Sequence, residues 1–175
     1  MDETTLALAA RAGDREAFMR LVRFYQARVR ALARGLVGDA GMAEDVAQEV
    51  FLRAWRGLGG WRGDAAFSTW LYAIARRTAL EHARRPALHV VPMDEAVALA
   101  DRRAPDLDLH GDLERALAEL EVEQREAFLL VAVLGLSYAE AGELTGRPPG
   151  TVASRVFRAR ARLAAALSAE REDSA

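Results

Sequence analysis

The chain has 175 residues, 51% of them hydrophobic, with 24 basic and 26 acidic side chains and a net charge of −2. That length holds one ordinary domain or two small ones, with apolar residues enough for a core. There is no cysteine, which excludes disulfides, thiolate zinc sites and a cysteine nucleophile. The longest apolar run, FLLVAVLGL, falls well below the ~20 residues of a membrane-spanning helix. The opening MDETTLALAARAGD places acid where a secretory signal needs base, so a cytoplasmic protein is expected.

Helical periodicity recurs along the chain and no sustained alternation of β-branched residues appears, so the expected fold class is all-α. The first predicted helix starts from an Asp14 cap, with Phe18, Leu21, Val22, Tyr25, Val29 and Leu32 on one face. A second spans about Gly41 to Arg56, burying Val46, Val50, Phe51 and Ala54. GLGGWRGDAA is rich enough in glycine to be a loop. A third helix runs from about Phe67 to Arg85, where Pro86 stops it, with Trp70, Leu71, Ile74 and Thr78 inward. Residues 86–111 hold three prolines and many aspartates and read as a linker. Further helices are expected near 112–120, 123–134, 138–145 and 149–168, with residues 169–175 as a disordered tail.

The small net charge conceals a segregation of base and acid. Residues 1–86 carry 14 arginines against 10 acids, residues 87–125 carry 4 against 10, and residues 126–175 carry 6 against 6. All basic residues are arginine, and the exclusion of lysine runs through every region, as a coding bias would make it. In LSYAEAGELTGRPPGTVASRVFRARARL, Gly135 and Gly146 end helices, Ser137 caps the next, and Pro148 and Pro149 open a new one. Two helices joined by a short turn make a helix-turn-helix candidate. On the last helix Val152, Val156, Ala159, Leu163 and Ala166 face inward, and Thr151, Ser154, Arg155, Arg158 and Arg162 share an adjoining face. Such a face suits base edges and phosphates in a major groove, with no acid between Arg147 and Arg162 to neutralise it.

GLSYAEAGELTGRPPGTVASRVFRARARL resembles the fourth conserved region of bacterial RNA polymerase sigma factors of the extracytoplasmic function group. AEDVAQEVFLRAW and GWRGDAAFSTWLYAIARRTALEHARR resemble their second region, in the same order along the chain. The resemblance implies two helical domains, residues 1–86 and 112–168, joined by an acidic tether at 87–111. It implies a subunit that brings RNA polymerase core to promoters, with an anti-sigma factor as its inhibitor. The Asp45, Gln48, Glu49 and Leu52 face would meet the clamp helices of polymerase, with Phe51 and Trp55 in the core. Trp61, Arg62, Asp64, Phe67, Ser68, Thr69, Arg76, Arg77, Arg84 and Arg85 would take the opened −10 element; Trp61 is equally placed to cover its own core. Arg147, Gly150, Thr151, Ser154, Arg155 and Arg158 would read the −35 element, and the second domain would also touch the polymerase flap. The linker would run through the channel used by template and nascent RNA.

Departures from the family pattern carry their own expectations. Arg77 and Glu81 stand where an asparagine and an aspartate are usual, which leaves an ionic helical pair in place of a base contact. Ala153 replaces a common lysine. Ala141 and Gly142 are smaller than usual, and a mid-helix glycine costs ~1 kcal/mol relative to alanine, so a loosened second domain is expected. Two rivals stand beside the resemblance. A helix-turn-helix regulator that acts without polymerase accounts for residues 112–168 and leaves AEDVAQEVFLRAW without a role. An enzyme has little to work with: His82, His89 and His110 lack metal-ligand spacing, and no lysine exists for a phosphate loop. No catalytic residue, metal or cofactor is expected.

Overall fold

The computed structural model describes residues 2–84 and 111–173, and those residues contain helices and no strand. The linker expected at 87–111, Arg85, and the channel role proposed for the acidic segment fall outside them, Gly111 excepted.

The first module is built from α1 (Glu3–Arg11), α2 (Arg15–Val37), α3 (Ala40–Gly57) and α4 (Phe67–Ala83), with a single 3-10 turn at Leu58–Gly60. Each of the first three helices starts where a carboxylate accepts a first-turn amide: Asp2 from Thr5, Asp14 from Ala17 and Asp39 from Met42. Gly38 ends α2 with φ +76°, the left-handed conformation that a side chain resists. The predicted face of α2 is the buried one, from Phe18 to Leu32. Val29, Leu32, Val46, Val50 and Leu71 are fully enclosed. Each such residue contributes roughly 1.5–3 kcal/mol, whereas an exposed ion pair contributes about 0–1 kcal/mol, so packing sets this module. Trp55 is half-buried on the Phe18 ring, centroids 4.9 Å apart.

The second module comprises α5 (Gly111–Ala118), α6 (Val122–Phe128), α7 (Tyr138–Thr145) and α8 (Pro149–Asp173). α6 continues into a π-helical turn at Leu129–Val133, where one regular helix was expected. The wider turn leaves Leu129 and Leu130, which are sequence neighbours, both fully buried. Ser137 caps α7 through a reciprocal box with Glu140, and the same hydrogen bonds hold the Glu140 carboxyl below its ordinary range. Gly146 ends α7 with φ +67°. α8 stays helical to Asp173, beyond the expected end at residue 168.

Gly142 corrects one expectation. A β-carbon there would lie 2.6 Å from the Arg147 carbonyl oxygen and 3.5 Å from the Pro149 nitrogen. The Arg147 amide donates to the Gly142 carbonyl at 2.9 Å. The glycine therefore lets the turn of the helix-turn-helix close on α7 instead of loosening the module, and Ala141 beside it is completely buried.

The modules touch. Gly35 of α2 faces Leu129, so close that an added β-carbon would sit 2.5 Å from Leu129 Cδ1. Arg34 pairs with Glu114 of α5, and Arg76 of α4 binds Glu126 of α6 through Nε at 2.8 Å. The Glu126 side chain is 9% exposed, so this carboxylate is held inside the contact between modules.

Candidate nucleic-acid interface

Three surfaces carry the residues singled out in the sequence. On α3, Asp45 and Gln48 are exposed, and Glu49 and Leu52 are half-buried. Glu49 is not free. It accepts from Arg53 Nη2 at 2.5 Å and lies 2.6 Å from His82 Nε2 on α4. Arg53 also donates to Glu81 at 2.7 Å and to the Thr78 hydroxyl at 3.1 Å. The expected Arg77–Glu81 pair is present at 3.2 Å and joins the same network. Partial burial raises the Glu49 carboxyl, but His82 and Arg53 outweigh it and hold the group below the ordinary range; Arg53 holds Glu81 low.

The pH dependence follows from those directions. Carboxyls depressed in the folded state stabilise it fully above the unfolded glutamate pKa of ~4.3, and that contribution disappears as pH falls through the lowered folded values. Arg53→Met is expected to cost about 1–2 kcal/mol at pH 7, as loss of hydrogen bonds to charged groups at a half-buried site. The difference from wild type should be smaller near pH 3, because protonation of Glu49 and Glu81 progressively removes it. Urea unfolding at both pH values measures it, and an equal deficit at both would show that the carboxylates are not what Arg53 stabilises.

The glycine-rich loop and the start of α4 form the second surface. Arg62 and Asp64 are exposed, Ser68 and Thr69 half-buried. Trp61 is 4% exposed, with its indole N–H donating to the Ala65 carbonyl at 3.2 Å and its ring edge-on to Phe67 at 6.0 Å. Phe67 is itself buried. Both aromatics thus belong to the core that fixes the loop, and neither offers an open stacking face in this arrangement; an inward pull of neighbouring aromatics is not encoded in loop composition. Arg76 is likewise engaged, by Glu126, whereas Arg77 is 75% exposed and Arg84 is exposed.

The third surface is the helix-turn-helix. Val152, Val156, Ala159 and Leu163 are buried, and Ala166 is half-buried beside them, as their spacing requires. Arg147, Gly150, Ser154 and Arg158 are exposed, with Thr151 and Arg155 half-buried. Among the described residues no carboxylate pairs with Arg147, Arg155 or Arg158. Arg162 leans back toward α6, 3.5 Å from the Gln124 side-chain oxygen Oε1 and 3.9 Å from Glu121. The Ser154 hydroxyl donates to the Thr151 carbonyl at 2.9 Å and must turn to meet a base. Phe157 is 75% exposed three residues beyond Ser154, a solvent-facing phenyl that an apolar VF pair conceals in the sequence. No helix among the described residues is long and apolar enough to cross a membrane.

A helical module with a polar face, followed by a helix-turn-helix with unpaired arginines, defines a DNA-binding protein of two helical units. Residues 21–87 match the family model for sigma-70 region 2, and residues 110–163 match that for sigma-70 region 4. The chain belongs to the sigma-70 family of RNA polymerase sigma factors, in its extracytoplasmic function group. It is 39% identical to the RNA polymerase sigma-H factor of Pseudomonas aeruginosa, over 89% of this chain and 88% of that one. It is 39% identical to the ECF sigma factor SigM of Mycobacterium tuberculosis, over 94% and 84%, and 37% identical to the ECF sigma-E factor of Escherichia coli, over 91% of each. Among solved structures it resembles CnrH in complex with the cytosolic domain of CnrY, with a TM-score of 0.73 and 28% identity over 95% and 97% of the two chains. It also resembles the sigma factor RpoE of Bartonella quintana bound to the anti-sigma factor NepR, with a TM-score of 0.68 and 30% identity over 86% and 96%.

Proposed function

We propose that this sigma factor directs promoter-specific initiation through a division of labour between residues 1–86 and 112–168. Asp45 and Gln48, with Leu52 beside them, meet the clamp helices of core polymerase. Glu49 acts from within its ion-pair network, presenting one edge to the partner. The loop after α3 and the first turns of α4 receive the −10 strand, with Arg62, Arg77 and Arg84 on its phosphates. Arg147, Thr151, Arg155 and Arg158 meet the −35 duplex, where arginine pairs bidentately with guanine. The observation that carries this reading is the presence, in family order, of both matched regions on one chain, each with its polar face exposed.

Polymerase performs the chemistry, so no catalytic residue, metal or cofactor belongs to this chain, and its place is the cytoplasm with the enzyme. An anti-sigma factor is the regulator we propose, because RpoE, at 30% identity, was solved with one. Substitutions that change charge separate the two binding functions. Asp45→Arg combined with Gln48→Arg should abolish co-elution with core polymerase and leave duplex binding intact, whereas Arg155→Ala with Arg158→Ala should do the opposite. Loss of both functions in either variant would contradict the division.

A further inference from the structure

The first helix sends a carboxylate onto the segment that carries the proposed −10 contacts. α4 begins at Phe67 behind Ala66, which has no side-chain acceptor for the first-turn amides. Glu3 supplies one from α1: the Ser68 amide donates to Glu3 Oε1 at 2.8 Å. The Tyr25 phenol, on a side chain only 2% exposed, lies beside the same carboxylate; burial and then Glu3 push it well above its ordinary range. Glu3 is fixed, because α1 is capped by Asp2 and seated by the fully enclosed Ala7 and by Ala10 at 2% exposure. The matched region 2 segment starts at residue 21, so the family model assigns α1 nothing.

Two consequences follow for the loop at 61–66. Its ends are both anchored: Trp61 lies on Phe67, and the Phe67 ring centroid is 5.9 Å from that of the buried Tyr25. In addition, the amide end of a helix attracts phosphate, and here a carboxylate already fills it. A phosphate is turned away from α4 toward the exposed guanidinium groups of Arg62, Arg77 and Arg84.

We propose that Glu3 is a positioning residue for promoter opening: it caps α4, fixes the loop that receives an unstacked base, and keeps the DNA backbone off the helix end. This rests on the −10 reading of the loop given above, and the test separates the two. Full-length variants are combined with core polymerase on a promoter carrying 2-aminopurine in its −10 element, and opening rate and core affinity are both measured. Glu3→Ala should open on the order of tenfold more slowly, the effect of one lost cap on that step, with core affinity unchanged. Glu3→Gln retains an acceptor oxygen and should restore most of the rate. Ser68→Pro removes the amide from the other side at a position where proline is tolerated, and should be as slow as Glu3→Ala, while Ser68→Ala should be faster than Ser68→Pro. The proposal is overturned if Glu3→Ala opens at the wild-type rate, or if Ser68→Pro and Ser68→Ala behave alike. Should Glu3→Ala lose core affinity, the two Ser68 variants decide by the same comparison. Arg62→Ala and Arg84→Ala serve as controls: if neither weakens −10 strand binding, the reading of the loop fails, whatever Glu3 does.

Discussion

Gly142→Ala is expected to weaken binding of the −35 duplex by about a hundredfold while leaving the unfolding of the first module unchanged. In an isolated helix this substitution would stabilise by ~1 kcal/mol. Here the new methyl meets the Arg147 carbonyl oxygen at 2.6 Å, a backbone atom that no rotamer change moves away. Overpacking of this kind costs about 1–3 kcal/mol, and the two prolines at 148 and 149 leave the turn little freedom to absorb it. Relief comes from displacing the turn, which re-aims α8 and with it Arg155 and Arg158. Since a misplaced guanidinium forfeits about 1–3 kcal/mol of base discrimination, two together give the predicted loss. Fluorescence anisotropy with a duplex selected by the wild-type chain measures it. An alanine variant that binds normally and melts higher would show that the turn is not closed on α7.

Glu126→Ala is expected to separate the two modules. The Glu126 carboxylate is almost enclosed and holds Arg76, which is itself 25% exposed. Removing one partner of a buried ion pair costs about 3–5 kcal/mol when the other charge stays buried. Arg76 escapes that cost if α6 lifts away and water reaches it, which also frees Leu129 from Gly35. A chain without cysteine accepts a single engineered pair of labels, on α3 and α8, so the distance between modules is directly readable by energy transfer. The variant should show a longer distance than wild type and bind the −10 strand severalfold more tightly, because Arg76, relieved of its carboxylate, becomes free to join Arg62, Arg77 and Arg84 on the phosphates. Arg76→Ala should lengthen the distance equally but show no such gain in strand binding. An unchanged distance in both would mean that the apolar contact alone docks the modules.

Much of this architecture was legible because its signals are local. Asp14, Ser137 and Gly146 mark helix ends through hydrogen bonds and backbone conformation within a few residues, and all three act as the sequence implies. The inward faces of α2 and α8 follow from spacing alone. α1 escaped notice because its enclosed positions are alanines, which give little contrast against the half-exposed Leu8; the Asp2 cap and the Gly13 break were the available signals. Leu129, where the π-helical turn begins, packs against Gly35 about a hundred residues earlier, and no local pattern reports that contact. Residue type points Arg76 to DNA and leaves Trp61 open between DNA and its own core, because whether an arginine or an aromatic faces outward depends on what its own fold puts beside it, here Glu126 and Phe67. Gly142 was read as a penalty for the same reason: helix propensity describes α7 alone, and the Arg147 carbonyl arrives from the following turn.

The central claim is tested most directly by adding the purified chain to sigma-free core polymerase with sheared DNA from its host and sequencing the 5′ ends of the transcripts. The account predicts a small set of defined start points that share two upstream elements at constant separation, and their disappearance with the Asp45→Arg, Gln48→Arg double variant. Transcripts with starts no different from those of core polymerase alone would contradict it, even if the chain still bound duplex DNA through α8.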